Sequence, residues 1–427
     1  MTLCLSEFAM TPFRLARQMV LLLSVLLAVP AALAQPVFGA GPLAVERRSD
    51  AVVGVYVPGW ESPAVLERLR PGSVSHLLYA FLRLCGPGQL DKDAQGCAGK
   101  ADFELAGDPA HARFDAAFQR LKAREAGLRV LASVGGWGGS DPFFPMAGDA
   151  ARRAVFIADA VRFLRGHPGF DGLDIDWEHP GDNGAANGVQ LGSAQDGAHF
   201  VLLMQELRAA LDRLGQTTGR RYLLTVAVNT TAKVVDRIDW RAAVPALDLV
   251  FMMSYDYYGG WSDAVGHHAA LRSSRAGSDD SLEQGVRNFI QAGVPASKLV
   301  AGVAMYGRGF AGAASAQTGA AKSGVYPPGG DGSLVYRDIA RRYLDRQGRG
   351  RKGYEAHFDT QTQAWALHDP HQQRYIGYDD PRAVEAKARF AREQGLAGLF
   401  AWELSQDNGD LLNAMNRGLG HRLKSGR

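Results

Sequence analysis

The chain has 427 residues, 46% of them hydrophobic and 21% charged, so it can bury a large core as one big domain or two to three small ones. Its 47 basic and 44 acidic residues give a net charge of +3. We expect these charges to form no basic run and no acidic tail. The sequence therefore predicts no nucleic-acid partner and no anionic membrane target. An uncharged substrate fits this balance better.

The first 34 residues have the pattern of a secretory signal. Two arginines precede an apolar run over residues 19–29, and a proline and a small-residue pattern ending at Ala34 follow it. A membrane anchor is the alternative, but about 11 apolar residues are fewer than the roughly 20 that span a bilayer. The sequence therefore predicts a signal peptide over 1–34 and a secreted (extracellular or periplasmic) chain over 35–427. We expect this mature chain to be a monomer without a membrane anchor.

The three cysteines predict one disulfide. Cys4 lies in the predicted signal, which leaves Cys85 and Cys97 in the mature chain. In an oxidising compartment these two can pair, and closing the short polar loop between them would stabilise the fold by about 3 kcal/mol. Two free thiols in a surface loop are the alternative.

Eight short apolar runs rich in β-branched residues indicate the fold. They are mostly continuous in hydrophobicity, which is typical of parallel strands covered on both faces. Patterns with helical spacing separate them, for example the stripe of Phe200, Leu203 and Leu207. The sequence therefore predicts an α/β fold, a (β/α)8 TIM barrel, with an open doubly wound sheet as the alternative. The eight runs span residues 52–60, 74–82, 128–137, 170–178, 222–230, 247–256, 298–307 and 395–404.

Two connections are too long for a single crossover helix. The first, residues 82–114, carries the cysteines, and the second, residues 308–378, lies between the last two strands. The second has a helical piece near 334–344 and three short strand-like runs broken by turn residues. It predicts a small α+β insertion lobe within the barrel chain. A disordered loop is the alternative, which the Tyr and Trp content of the segment disfavours.

The fourth run, FDGLDIDWE, carries an unusual number of acids. Side chains alternate along a strand, so Asp174, Asp176 and Glu178 share one face while the apolar residues between them share the other. The apolar face must contact the helices, which leaves the acids facing the barrel lumen. Three carboxyl groups spaced about 6.5 Å apart cannot all ionise easily in a poorly solvated lumen, so at least one pKa should rise.

A carboxyl group that stays protonated near neutral pH is a general acid, and Glu178 is the outermost of the three. Glycoside cleavage uses such an acid, and a retaining enzyme usually adds a second carboxylate across the scissile bond. Here the other acids lie on the same strand, which favours the substrate-assisted route in which a 2-acetamido group attacks its own anomeric carbon. Asp176 would then hold the acetamido N–H, and Asp174 would share a proton with Asp176. A Mg²⁺ or Ca²⁺ site and a buried ion-pair network are the alternatives.

Four motifs together resemble family 18 of the glycoside hydrolases, in particular chitinases of the bacterial secreted type. The pattern DGxDxDxE is matched in full over residues 171–178. SxGG follows the third predicted strand at 133–136, MxYD ends the sixth at 253–256, and YGRGF ends the seventh at 306–310. The resemblance covers essentially the whole mature chain. It implies the barrel, the insertion lobe, activity on chitin or N-acetylglucosamine oligosaccharides, and no cofactor or metal.

The resemblance also implies the roles of individual catalytic residues. Glu178 would be the acid, Asp176 the acetamido partner and Asp174 its support. Tyr255 would hydrogen-bond the acetamido oxygen, with Asp256 beside it. These assignments agree with the reading of the acidic strand from its alternation alone.

Further residues are candidates for substrate binding. The backbone at Gly136 would let a bulky sugar approach, and Trp137 would stack on a sugar on the leaving-group side, with a packing role as its alternative. Trp402 would form the floor of the subsite where the sugar is distorted, or else be a core aromatic. The remaining candidates are Phe81, Met253, Tyr306 and Arg308. Arg308 could instead simply pair with the aspartate of the MxYD motif.

Two adjacent histidines, His267 and His268, raise the question of a zinc site. No HExxH motif or cysteine cluster accompanies them, so a role in a loop is expected. The sequence as a whole predicts a secreted, retaining chitinase. An endo-β-N-acetylglucosaminidase acting on glycans or peptidoglycan and a chitin-binding lectin are the alternatives. No separate chitin-binding module is recognised, which favours soluble or amorphous chitin as the substrate.

Overall fold

The computed structural model describes residues 38–88, 95–107, 110–182 and 191–424. The predicted signal peptide over 1–34 lies outside the described residues. No helix in the described part of the chain is long and apolar enough to cross a membrane.

Eight parallel strands form a closed barrel. Each strand pairs with its neighbours in chain order, and the first pairs with both the second and the eighth, so the sheet has no open edge. This closure confirms the predicted TIM barrel and excludes the open doubly wound sheet. We number the strands barrel strands 1 to 8 in chain order: Val52–Pro58, His76–Leu84, Arg129–Gly135, Gly172–Asp176, Leu223–Asn229, Leu249–Met253, Leu299–Ala304 and Gly398–Trp402.

Helices cover the outside of the barrel. The predicted stripe of Phe200, Leu203 and Leu207 is buried on the helix Asp196–Thr218, which ends at Gly219 in a left-handed conformation. Apart from the helix Tyr336–Tyr343, which follows barrel strand 7, the α-helices of the described residues are Ala110–Lys122, Phe143–Ala147, Ala150–Gly166, Asp196–Thr218, Ala232–Val235, Trp240–Ala243, Leu282–Ala292, Pro381–Glu393 and Asp410–Gly418. Short 3-10 helices are Pro63–Arg68, Gln95–Cys97, Val244–Ala246, Ala296–Lys298 and Leu404–Gln406.

The connection after barrel strand 2 is held by a disulfide. A short strand, Leu105–Ala106, pairs antiparallel with the end of barrel strand 2. Cys85 and Cys97 are bonded with a Cα–Cα distance of 5.7 Å, which confirms the predicted pairing. The disulfide therefore closes a loop next to the carboxyl end of barrel strand 2.

A second, antiparallel sheet follows barrel strand 7. Its helix, Tyr336–Tyr343, lies within the predicted helical piece, and three of its strands coincide with the predicted strand-like runs. The strands are Tyr306–Ala311, Gly324–Val325, Ser333–Val335, Glu355–Asp359, Ala364–Asp369 and Arg374–Tyr378. This sheet begins at Tyr306, two residues before the predicted lobe. The bounds 308–378 of a separate lobe remain a prediction.

The two ends of the described chain meet in a short antiparallel ribbon. Ala44–Glu46 pairs with Arg422–Lys424, so the segments before barrel strand 1 and after the last helix are joined. The carboxyl ends of the barrel strands lie at the other, loop-rich side of the barrel, where catalytic residues of such barrels gather.

Candidate active site

The acids of barrel strand 4 form a column inside the barrel. Asp174 and Asp176 are buried, and the Glu178 side chain, just beyond the strand, is 15% exposed. Leu173 and Trp177 point the other way, into the core between strands and helices. The alternation of the strand therefore separates its apolar residues from its acids, as the sequence predicts.

Asp174, the deepest of the three, is held by hydroxyl groups from three other barrel strands. It accepts hydrogen bonds from Tyr56 Oη at 2.8 Å, Ser133 Oγ at 2.7 Å and Thr225 Oγ1 at 2.6 Å. Burial raises the pKa of Asp174, although these bonds favour its charged form. These three hydroxyls fix Asp174 at the base of the column, and a proton shared between Asp174 and Asp176 stays a prediction.

Asp176 is a buried carboxyl group with an unused oxygen. Its Oδ1 atom has no hydrogen-bond partner among the described residues. Burial, followed by the nearby charges of Glu178 and Asp174, raises its pKa well above the ordinary value. Buried polar atoms are nearly always hydrogen-bonded, so Asp176, which lines the cavity, keeps an unmet capacity to accept a hydrogen bond.

Glu178 lies above Asp176 at the mouth of the cavity. Its backbone N–H donates to Ser140 Oγ at 2.9 Å, which fixes the chain where it leaves the strand. Burial, with a smaller contribution from the charge of Asp256, raises the pKa of Glu178 to about 8. The carboxyl group is therefore protonated near neutral pH, which is the state that a general acid requires.

Asp256 is committed to an ion pair. It adopts φ 59°, a left-handed conformation that Asp tolerates better than most residues. Arg308 donates to both of its oxygens, from Nε at 2.8 Å and from Nη2 at 2.9 Å, and to Asp331 at 2.7 Å from Nη1. Although burial opposes it, the nearby His268 ring and the hydrogen bonds from Arg308 hold the pKa of Asp256 well below its usual range. Arg308 therefore pairs with the aspartate of the MxYD motif, as the alternative prediction for this arginine stated.

Aromatic rings form the apolar wall of the site. Trp402, at the end of barrel strand 8, is stacked on Phe81 with centroids 5.7 Å apart and is tilted against Tyr56 at 5.2 Å. Trp137 is 57% exposed and Trp261 is 60% exposed. Large, partly exposed rings around a polar pocket suit the mixed polar and apolar surface of a sugar.

These groups surround one cavity of about 820 Å³ at the carboxyl ends of the barrel strands. Most of the residues predicted from the sequence line it: Phe81, Trp137, Asp176, Glu178, Met253, Tyr255, Asp256, Tyr306, Arg308 and Trp402. Asp174 lies beneath the lining. Gly136 is also outside it: a Cβ at this position, where φ is 80°, would lie 2.6 Å from the Phe81 ring. Gly136 therefore makes room for Phe81 and does not itself line the cavity.

Sequence reasoning missed several lining residues. Tyr56 and Asn229 lie near the carboxyl ends of barrel strands 1 and 5, a position that could have identified them. His179, Trp261 and Asp331 also line the cavity, but they lie in loops whose placement depends on the folded chain.

The two adjacent histidines point to different surroundings, and His268 is the one beside the site. His268 is buried, with Nδ1 3.6 Å from Asp256 Oδ1. His267 contacts Asp359 and the hydroxyl of Tyr375 instead. Among the described residues, no group of three or more His, Cys, Asp or Glu side chains could hold a metal ion.

The raised pKa of Glu178 should make stability depend on pH. Its ordinary value is 4.5 and its folded value is about 8, so the folded chain holds this proton more tightly than the unfolded chain does. This contribution is fully present below pH 4.5 and is lost as the pH rises towards about 8. Glu178→Gln removes the titration, so the unfolding free energy of the variant minus that of the parent should increase by up to about 1.4 kcal/mol per pH unit in this window. Urea unfolding at several pH values measures it, and a constant difference would contradict the assignment.

Comparison with known proteins places this geometry in a family. A family model for glycosyl hydrolases family 18 matches residues 52–407, which include all eight barrel strands and the acidic column. The chain belongs to glycosyl hydrolases family 18. The resemblance stated from the four motifs is thereby confirmed.

Individual relatives agree with this family 18 assignment. The chain is 35% identical over 410 residues to chitinase A from Pseudoalteromonas piscicida, covering 81% of this chain and 49% of that protein. It thus spans about half the length of that relative. A family 18 N-acetylglucosaminidase from Paenibacillus barengoltzii matches with a TM-score of 0.71 and 29% identity over 86% of this chain and 99% of that one. A family 18 chitinase from Cycas revoluta, solved in complex with (GlcNAc)3, matches with a TM-score of 0.70 and 28% identity over 87% of this chain and 100% of that one.

Proposed function

We propose that this family 18 chain is a chitinase that hydrolyses β-1,4 linkages between N-acetylglucosamine units with retention of configuration. One observation carries the proposal: Glu178, whose raised pKa favours its protonated form, lies above a buried Asp176, while the other two carboxylates that line the cavity, Asp256 and Asp331, are ion-paired with Arg308. A proton donor is present, and no lining carboxylate is both free and on another strand.

The nucleophile is therefore assigned to the substrate. Asp176 and Glu178 leave the same strand two residues apart, about 6.5 Å along it, so both approach a bound sugar from one side. A retaining enzyme with a protein nucleophile needs its second carboxylate across the scissile bond. The acetamido oxygen of the sugar can attack from that side, because the acetamido group is attached through its nitrogen to the carbon next to the reacting centre.

Each step of this hydrolysis can then be assigned to a residue of the cavity. Glu178 gives its proton to the leaving oxygen as the acetamido oxygen closes on the anomeric carbon, forming an oxazolinium ion. Asp176 accepts a hydrogen bond from the acetamido N–H at its unused oxygen and stabilises the positive charge that develops. Tyr255, which lines the cavity, donates to the acetamido oxygen. Glu178, now a base, takes a proton from the water that opens the ring.

Aromatic and apolar side chains of the cavity wall would bind the sugar units. Trp402 would floor the subsite of the distorted sugar, and Trp137 would stack on a sugar on the leaving-group side. Phe81, Met253 and Tyr306 complete the apolar surface. Arg308 keeps Asp256 ionised near Tyr255, so that the field at the site is fixed before substrate arrives.

A second candidate is an N-acetylglucosaminidase that acts on glycans or peptidoglycan, which the similarity to the N-acetylglucosaminidase from Paenibacillus barengoltzii favours. The same acids would serve both activities. Product analysis on an N-acetylglucosamine hexamer beside a high-mannose glycan and peptidoglycan separates them. We expect the hexamer to be cleaved at the highest kcat/KM, and cleavage of the glycan or peptidoglycan alone would contradict the chitinase proposal. A lectin would bind the hexamer without any product.

We also propose that the enzyme acts outside the cytoplasm. The charged, apolar and small-residue order of residues 1–34 supports export, and so does the disulfide between Cys85 and Cys97, because disulfides persist in oxidising compartments. Sequencing the N-terminus of protein recovered from the growth medium or periplasm tests this. We expect Gln35 as the first residue, and a cytoplasmic protein that begins at Met1 would contradict it.

A further inference from the structure

One segment of this chain carries a strong local positive charge. Residues 337–352 contain seven Arg or Lys and two Asp, a net charge of +5 in 16 positions. The rest of the chain holds 40 basic and 42 acidic residues. The sequence-based expectation that no basic run exists is therefore wrong, because the small total charge conceals a strong local one.

This segment lines a groove of about 1120 Å³, separate from the active site. The groove lies between the helix Tyr336–Tyr343 with the loop that follows it, the segment at Phe38, and the start of the last helix at Asp410. None of its lining residues lines the active-site cavity. Five arginines face it: Arg337, Arg341, Arg346, Arg349 and Arg351.

Most of the positive charge in the groove is available to a ligand. Arg337 donates to the carbonyl of Ser405 and Arg351 to the carbonyl of Arg341, so both are held in place without a carboxylate partner. Arg346 has no hydrogen bond or ion pair among the described residues.

The carboxylates in the groove compete only weakly for these arginines. Arg341 pairs with Asp338 and Arg349 with Asp345, but the two arginine side chains are 69% and 74% exposed. Exposed pairs of this kind contribute at most about 1 kcal/mol, so they can be exchanged for an incoming anion. The third carboxylate, Asp410, is buried and accepts the backbone N–H of Gly39.

We infer that this groove binds a linear acidic polysaccharide, a ligand that goes beyond the proposed activity on uncharged chitin. The guanidinium fork binds carboxylates through two parallel hydrogen bonds, and all five groove cations are Arg and none is Lys. A groove lined by five arginines suits an extended chain that carries a repeated negative charge. Such a site would hold the enzyme in a matrix of acidic polymer while the barrel cleaves neutral chains.

The groove fits two other anionic partners less well. Peripheral membrane binding needs exposed apolar anchors beside the basic residues, and single-stranded nucleic acid needs exposed aromatic rings for stacking. The large exposed hydrophobic side chains of the described residues are Trp60, Trp137, Val155, Leu202, Trp261, Ile290 and Phe358, and none of them lines this groove. Phe38, the ring in the lining, is covered by the Arg382 guanidinium.

Binding of polygalacturonate, a linear polymer of uronic acid, tests the inference by calorimetry or biolayer interferometry. The triple variant Arg341→Gln, Arg346→Gln, Arg351→Gln should bind at least about tenfold more weakly, a loss of about 1.4 kcal/mol. The single variant Arg346→Gln should weaken binding in the same direction with little risk to folding. Raising NaCl from about 50 mM to about 200 mM should weaken binding by the parent chain, because the Debye length shortens.

Matched controls make the result specific. The variant Arg113→Gln, Arg124→Gln, Arg213→Gln removes the same charge from exposed arginines, two on barrel helices and one in the turn after the helix Ala110–Lys122, and should retain parental affinity. Both triple variants should cleave the N-acetylglucosamine hexamer at the parental rate, so the outcome is independent of the proposed function. Equal loss in the two triple variants, no measurable binding of polygalacturonate, or tighter binding to duplex DNA or phosphatidylglycerol vesicles would overturn the inference.

Discussion

Glu178→Gln should lower kcat on an N-acetylglucosamine hexamer by about three orders of magnitude, within the range that general acid–base catalysis contributes. Glutamine has nearly the same shape but no proton to give to the leaving oxygen. Since burial raises the pKa of Glu178 to about 8, the parent enzyme should lose activity as the pH rises past that value. Single-turnover kinetics measures the loss, and calorimetry should show oligomer binding almost unchanged.

The matched control for this variant is Asp141→Asn. Asp141 is also a buried carboxyl group, on the loop after barrel strand 3, but it makes no hydrogen bond in the described residues and does not line the cavity. Its replacement should change kcat by less than about threefold. Turnover by Glu178→Gln at a rate comparable to that of this control would remove Glu178 from the mechanism.

Asp176→Asn should lower kcat by roughly two to three orders of magnitude, an effect of about 3 to 4 kcal/mol on the barrier. An asparagine can still accept a hydrogen bond from the acetamido N–H, but it cannot ionise to stabilise the oxazolinium ion as that ion forms. The loss should therefore appear in kcat more than in KM, because the positive charge exists only as the transition state is reached.

Substrates that differ only at the 2-position separate this role from a structural one. On an oligomer whose cleaved unit is deacetylated, the parent enzyme should be as slow as Asp176→Asn is on the acetylated oligomer, since the nucleophile is then missing. Thr225→Val serves as the structural control, because it removes one of the three hydroxyls that hold Asp174 without changing the charge of the column. A parent enzyme that cleaves deacetylated and acetylated chains equally fast would contradict participation of the acetamido group.

The barrel could be predicted because each of its strands can be recognised from a short segment of the sequence. Each strand is a short apolar run, and the alternation of barrel strand 4 separates Trp177 from Asp176 without any knowledge of the neighbouring strands. The same alternation places Glu178 at the mouth of the cavity. The disulfide was predictable for a similar reason, since two cysteines close in sequence remained after the predicted signal.

The rest of the site depends on contacts between residues far apart in the chain. Tyr56 reaches Asp174 across 118 positions, and only closure of the barrel brings them together. Asp331 meets Arg308 because the strand Ser333–Val335 pairs antiparallel with Tyr306–Ala311 in the second sheet. Asp174 is likewise held by hydroxyls on three other strands, which the acidic strand alone could not identify.

The most direct test of the account is the configuration of the new reducing end, followed by proton NMR during hydrolysis of a β-linked N-acetylglucosamine hexamer. If the acetamido group is the nucleophile, two inversions occur at the anomeric carbon, and the β-anomer must form first and then mutarotate. Initial release of the α-anomer would mean that water attacks directly, and the roles assigned to Asp176 and Glu178 would be wrong.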